Sequence, residues 1–321
     1  MISCLSNYIG IRNVAGYQNP ESGVFINNLP GISTDILEDI SQDDEYTIQM
    51  AWEGILDRAI LRFESDVNTW ASKYFLNYSL SGQNITGHYD DNEAIATSNN
   101  YNGWYFDLLS YSPNLALNIN SVELYTANSV SSSIRIYNAT TGKLLDEIQF
   151  TSVAEEINVI YIAKEYPLWK YPNLFICYDE NMIQTIETDD LFIGQFDFLS
   201  RRKVGTGTAP TKANLIAADD TGLILNYSLN CSIDNFICHR RDFFKEPFWY
   251  LLGVEFCNER IYSDRINRYT LLNQDEADKL RNQLEAAYTD KMNGKLKGLK
   301  MTENDDCFVC NKAVNYRTLL P

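Results

Sequence analysis

The stretch YTIQMAWEGILDRAILRFESDVNTWASKYF, Tyr46 to Phe75, decides how the chain is read. Ile48, Trp52, Ile55, Ala59, Phe63, Val67, Trp70 and Tyr74 recur at steps of three and four, the spacing that lines up one face of a helix. No Pro interrupts the run, and its one Gly, Gly54, is a tolerable local cost. Asp43, Asp44 and Glu45 stand just before it, where negative charge favours a helix start. At ~1.5 Å per residue the predicted helix is roughly 45 Å long. An apolar stripe of that length needs a sizeable partner. The helices expected near the C-terminus, or a neighbouring subunit, are the available supply.

Working outward, residues 1–32 read as turn-rich, and Ser33 or Thr34 is placed to cap a short helix through Ile40. Residues 77–103 are rich in Asn, Ser, Gly and Asp and read as a linker or surface loop. From Trp104 to about Leu199 the period changes to two. Val122/Leu124, Ile134/Ile136, Ile148/Phe150, Ile157/Val159/Tyr161 and Leu174/Ile176/Tyr178 alternate, with Thr141-Gly142 as a hairpin turn and Leu191–Phe198 as a further strand. Residues 200–230 read as an extended excursion. Helices are expected near Phe248–Ile261 and over 274–300, the second with Leu280, Leu284, Ala287 and Tyr288 on one side. The expected fold class is α+β, an antiparallel β-sandwich inserted between N- and C-terminal helical segments. The domains follow: 1–103, helical segment with long helix and linker; 104–199, β-sandwich; 200–321, extended loop and a C-terminal helical segment that packs with the N-terminal one.

Composition narrows the function. The chain has 321 residues, 26 Lys+Arg against 43 Asp+Glu and a net charge of −17. Such a surface repels phosphate, which argues against stable binding along DNA or an anionic membrane. The acidity is uneven: residues 35–66 hold ten acids and only Arg58 and Arg62 as bases. No stretch approaches the ~20 apolar residues of a membrane span, and Met1 to Arg12 lacks the pattern of a signal peptide. Five Asn-x-Ser/Thr sequons (Asn77, Asn84, Asn138, Asn226, Asn230) then read as products of an Asn-rich composition. Seven cysteines without an export signal point to a reduced cytosolic setting and no disulfide framework.

Candidate chemistry is thin. Cys231-x6-Cys238 and Cys307-x2-Cys310, with Cys257 as a substitute, have the makings of a four-thiolate zinc site, but only the second pair has proper spacing; buried free thiols are the favoured reading. The two histidines, His88 and His239, lack a partner at metal-ligand spacing. Asp90-Asp91, Asp189-Asp190, Asp219-Asp220 and Asp305-Asp306 are the pairs expected of so acidic a chain, and sequence adjacency does not place two acids across a cleft. Gly205-Thr-Gly207 is not a phosphate loop, and no GxSxG element occurs. Arg201-Arg202-Lys203 is the only basic run, either a solvated turn or a contact for an acidic neighbouring subunit. The 21 tyrosines fit a sandwich core, a protein interface or sugar stacking. No catalytic, cofactor-binding or metal residue is nominated, and no cofactor is expected.

Several phrases near the two ends carry a resemblance. They are Cys4-Leu-Ser-Asn-Tyr-Ile-Gly-Ile-Arg12, Pro20-Glu-Ser-Gly-Val-Phe-Ile-Asn-Asn-Leu-Pro-Gly-Ile-Ser33, Trp52 through Arg58-Ala-Ile-Leu-Arg-Phe-Glu64, Tyr250-Leu-Leu-Gly253, Glu259-Arg-Ile-Tyr-Ser-Asp-Arg-Ile-Asn267 and Asp306-Cys-Phe-Val-Cys310. Together they resemble the ring (neck and tail connector) proteins of crAss-like Bacteroides phages, over about residues 1–75 and 230–321. The resemblance implies a non-enzymatic virion protein, assembled in the bacterial host cytoplasm into a cyclic, twelve-fold homo-oligomer. Its implied partners are the portal protein and other neck or tail rings, with DNA only as passing cargo and no membrane. Head-to-tail rings need two different complementary patches, and an acid-lined lumen would let DNA slide. The alternative reading is a tail-associated carbohydrate-binding or host-attachment module; a tail glycoside hydrolase is a third.

Overall fold

Nine buried side chains along one helix, from Ala51 to Ala71, organise the first of two compact units. The computed structural model describes residues 4–41, 47–71, 79–89, 100–186, 188–190, 198–205, 208–262, 274–299 and 307. Helix α1 is Thr34–Ile40, α2 is Ile48–Ala71, α3 is Ile233–His239, α4 is Arg241–Tyr262 and α5 is Gln274–Gly298. Ser33 caps α1, accepting from the Ile36 amide at 3.4 Å. The long helix is shorter than expected. It starts at Ile48, where the Thr47 hydroxyl accepts from the Met50 amide at 3.2 Å; Asp43 to Glu45 and Tyr74 lie outside the described residues. The predicted stripe is buried at Trp52, Ile55, Ala59, Phe63 and Val67, and Ala51, Leu56 and Ile60 widen it.

What covers the stripe is α4. The Phe63 ring meets the edges of Phe244 at 5.6 Å and Phe248 at 5.4 Å. Helix α4 carries the residues expected near Phe248–Ile261 but begins earlier, at Arg241, with Pro247 in its second turn. Against it lies α5, whose buried face is Ala277, Leu284, Tyr288, Met292 and Leu296. Leu280 and Ala287, expected on that face, are only half-buried. Gly253 permits the close packing: a Cβ there would sit 2.9 Å from Leu284 Cδ1 and 2.8 Å from Leu29 Cδ1. The turn-rich N-terminal stretch joins the same core through Leu5, Tyr8, Ile9, Ile11 and Val14, all buried. It contributes β1 (Ile9–Gly10) and β2 (Val24–Phe25), a short parallel pair.

The second unit holds residues 76–235 and is built on period-two strands. They are β3 Ser79–Ile85, β4 Gly87–His88, β5 Tyr101–Asp107, β6 Leu115–Thr126, β7 Ser131–Asn138, β8 Lys143–Thr151, β9 Glu156–Pro167, β10 Asn173–Asp179, β11 Asp189–Asp190, β12 Leu199–Val204, β13 Leu215–Ala217 and β14 Leu223–Cys231. Two larger sheets form, both antiparallel, in the orders β13-β12-β5-β10-β7-β8 and β3-β14-β6-β9. The chain is therefore α+β with antiparallel sheets. Gly142, at φ 72°, closes the β7–β8 hairpin at the expected place. The sheets meet through β5 and β14. The Trp104 indole N–H donates to the Leu223 carbonyl at 2.5 Å, and Phe106 meets the Tyr227 ring edge-on at 5.3 Å.

Three expectations change here. Residues 77–103 are not simply a polar linker: β3, β4 and the start of β5 come from them. Residues 200–230 are not an excursion, since β12 to β14 complete both sheets. Leu223, Leu225, Tyr227, Leu229 and Cys231 alternate inward along β14, a period-two signal hidden beside Gly- and Thr-rich sequence. On β9 the phase is reversed: Ile160, Ile162 and Tyr166 are buried, while the expected core set Ile157, Val159 and Tyr161 points outward. The expected strand Leu191–Phe198 lies outside the described residues except for Phe198.

Gly103 sits in β5 opposite Cys177 of β10. A Cβ there would fall 1.9 Å from the Ile176 carbonyl oxygen, a backbone atom that cannot swing away. Gly103→Ala is therefore expected to cost about 3 kcal/mol or more by overpacking, read as a drop in the denaturation midpoint of the sheet unit.

Candidate functional site

The cysteines depart most from expectation. Cys4 is bonded to Cys238 with Cα atoms 5.7 Å apart, and Cys231 to Cys307 with Cα atoms 5.5 Å apart. The reading of a chain without disulfides is corrected. So is the four-thiolate alternative: Cys231 and Cys238 belong to different bonds, so their sulfurs cannot both be free thiolate ligands. Cys310 lies outside the described residues. Cys177 and Cys257 are buried free thiols. Among the described residues no group of His, Cys, Asp and Glu is arranged to hold a metal ion.

The other sequence candidates are scattered. His88 lies on β4, exposed, and His239 ends α3, also exposed. Asp189 and Asp190 form β11 and pair with β4. Asp220 closes the turn into β14: its carboxylate accepts from the Thr188 amide at 2.7 Å, the Thr188 hydroxyl at 3.1 Å and the Gly222 amide at 2.9 Å. Asp90-Asp91, Asp305-Asp306, Thr206 and Gly207 lie outside the described residues. The basic run is not a turn but part of β12. Arg201 donates to the Asp219 and Thr188 carbonyls and lies over the Trp104 ring at 5.8 Å.

The densest polar cluster joins three helices. Arg58 of α2 contacts Glu259 at 2.6 Å and Glu255 at 3.6 Å, both on α4. One turn on, Arg62 reaches Glu255 at 3.6 Å and Glu285 of α5. Tyr288 donates to Asp66 at 2.6 Å, and Arg62 lies 5.5 Å from its ring centre. Glu255 is 6% exposed, so two guanidiniums compensate one desolvated carboxylate. Four carboxylates (Asp66, Glu255, Glu259 and Glu285) share two guanidiniums, and the Tyr288 hydroxyl supplies Asp66 with a further donor. Sequence reasoning placed Arg58 and Arg62 on the helix but had no means of pairing them with residues 200 positions away. Chemically the cluster ties α2, α4 and α5 together in one register.

Burial leaves an alkaline signature. The Cys257 thiol is pushed up to about 11, with Arg260 and Arg281 opposing the shift, and Tyr227 is pushed up to about 12 by burial. Burial drives Tyr89, Tyr166, Tyr178 and Tyr288 upward as well. A raised folded-state value means the unfolded chain loses its protons first. These groups therefore contribute their full stability below about pH 9, and lose it as the pH climbs through about 10 to 12. The denaturant midpoint is expected to hold between neutral pH and pH 9 and fall steeply above pH 10, in step with tyrosinate absorbance.

No protein-family model matches this chain, and no curated protein matches it in sequence. Among the described residues no helix is long and apolar enough to cross a membrane.

Proposed function

We propose that this chain is a structural virion protein: one copy of a closed cyclic ring in the neck or tail of a crAss-like phage, joining head to tail around the DNA path. One observation supports this reading above the others. Two of the phrases that carry the resemblance lie far apart in sequence yet pack on each other. Arg58, in the phrase Trp52 to Glu64, is ion-paired at 2.6 Å with Glu259, which opens the phrase Glu259 to Asn267. Phrases kept together because they form one helical core are what a shared scaffold would leave in a sequence. The ion pairs that tie three helices together agree with a scaffold built for assembly. In the finer version of the fold, the six- and four-stranded sheets stack as a sandwich inserted in sequence between the N- and C-terminal helical segments.

The ring is cyclic, twelve-fold by resemblance, with the portal and other neck or tail rings as neighbours. Electron microscopy of the purified chain, with antibody labelling of intact particles, tests it. Closed rings and labelled necks are expected. A chain that stays monomeric and is missing from particles overturns the reading.

A further inference from the structure

Two edges of the sheet unit have opposite character. β8 and β9 are edge strands of different sheets, joined where Tyr166 donates to Asp146 at 2.7 Å and Lys164 pairs with the same carboxylate. They are nine and twelve residues long. Natural edge strands are usually short, charged or covered, because an open edge invites another chain. This one presents Ile157, Val159 and Tyr161 outward, with Val153 in the turn before them and Leu144 on β8; Tyr161 is 81% exposed. The surrounding charge is acidic. Residues 143–165 hold Asp146, Glu147, Glu155, Glu156 and Glu165 against Lys143 and Lys164.

The opposite end of the six-stranded order is β13 beside β12. Residues 199–217 hold Arg201, Arg202, Lys203 and Lys212 and no acid. Arg201 is engaged with carbonyls and Lys212 with Asp107; among the described residues Arg202, whose Nε donates to the Ser200 hydroxyl, and Lys203 meet no carboxylate, so their charges are the ones a partner's carboxylate would meet. Beside them Ile216 on β13 is 48% exposed.

We propose that the acidic, apolar β8–β9 edge of one copy docks on the basic β12–β13 edge of a second copy. This rests on the ring reading and names its contact. The two patches differ, and β8 and β13 close opposite ends of the six-stranded order, so the contact is head-to-tail and can repeat around a circle. Tyr161 is the anchor, since an exposed aromatic supplies contact area at low entropic cost. Glu155 and Glu156 against Arg202 and Lys203 set the direction of approach.

The test uses the purified full chain in native mass spectrometry and sedimentation, with circular dichroism to establish that each variant is folded. Wild type forms a closed oligomer, and Tyr161→Ala weakens association at least tenfold. Glu155→Lys with Glu156→Lys, or Arg202→Glu with Lys203→Glu, yields folded monomers. Mixing these two double variants restores assembly at equal stoichiometry, because each then meets only the other. If either double variant assembles like wild type, or the mixture stays monomeric, the proposed contact is wrong although the ring reading stands. If wild type itself never associates, both fall together.

Discussion

Phe63→Ala will lower the stability of the helical unit by about 3–5 kcal/mol. The side chain is fully buried, and its ring fills the space between Phe244 and Phe248 of α4. Truncation loses the transfer free energy of a benzyl group and leaves a void lined by two rings that cannot both collapse into it. Edge-to-face ring contacts add about 1 kcal/mol beyond area. The control lies two residues away on the same helix. Leu61 is 57% exposed, so Leu61→Ala should change stability by less than about 0.5 kcal/mol. Denaturant titration followed by far-ultraviolet circular dichroism separates the two. Equal effects would mean that the Phe63 face is not the one α4 covers. The loss bears on the proposed assembly role, because Arg58 and Glu259 meet only while α2 and α4 stay packed.

The contrast between Phe63 and Leu61 was legible in the sequence, because a helical face is a local, periodic signal. Trp52, Ile55, Ala59, Phe63 and Val67 share a stripe whatever they pack against. Strand phase is less legible. Ile157, Val159 and Tyr161 alternate as a core set should, but Ile160, Ile162 and Tyr166 alternate equally well on the other face of β9, and only the position of the second sheet decides between them. Edge position was invisible for the same reason. Residues 77–103 and 200–230 read as loop or excursion because Asn, Ser, Thr and Gly are local loop markers that also occupy the solvent-facing positions of strands. In β14, Asn226, Ser228 and Asn230 are the half-exposed partners of buried Leu225, Tyr227 and Leu229. The Asp220 turn could have been found from Asp-Thr-Gly before an apolar run, a turn chemistry the sequence does display. The cysteine partners could not: seven thiols allow many pairings, and spacing along the chain does not record distance in space.

Those partners lead to the second large effect. Replacing Cys231 and Cys307 together by Ser, or Cys4 and Cys238 together, is expected to cost about 4 to 5 kcal/mol in each case. The first bond closes a separation of 76 residues and the second one of 234. Cross-links over such spans remove many conformations from the unfolded chain. Both cysteines of a pair must go, since one alone would leave a reactive thiol beside a buried position. The bonds also report separately. Cys4–Cys238 lies in the helical unit and Cys231–Cys307 in the sheet unit, so helical dichroism should respond to the first and Trp104 fluorescence to the second. Reductant added to wild type should reproduce both losses, while the buried thiols of Cys177 and Cys257 add nothing of their own. A loss under about 1 kcal/mol from either pair would show that the purified chain holds open thiols there. The same measurement bears on the proposed origin. A particle built in a reducing cytoplasm would carry these four thiols open until release. Alkylation in freshly lysed cells should then label all four, and alkylation of finished particles none. The reduced fold must therefore stand on its core packing alone, which is why Phe63→Ala should be more damaging before the bonds close than after.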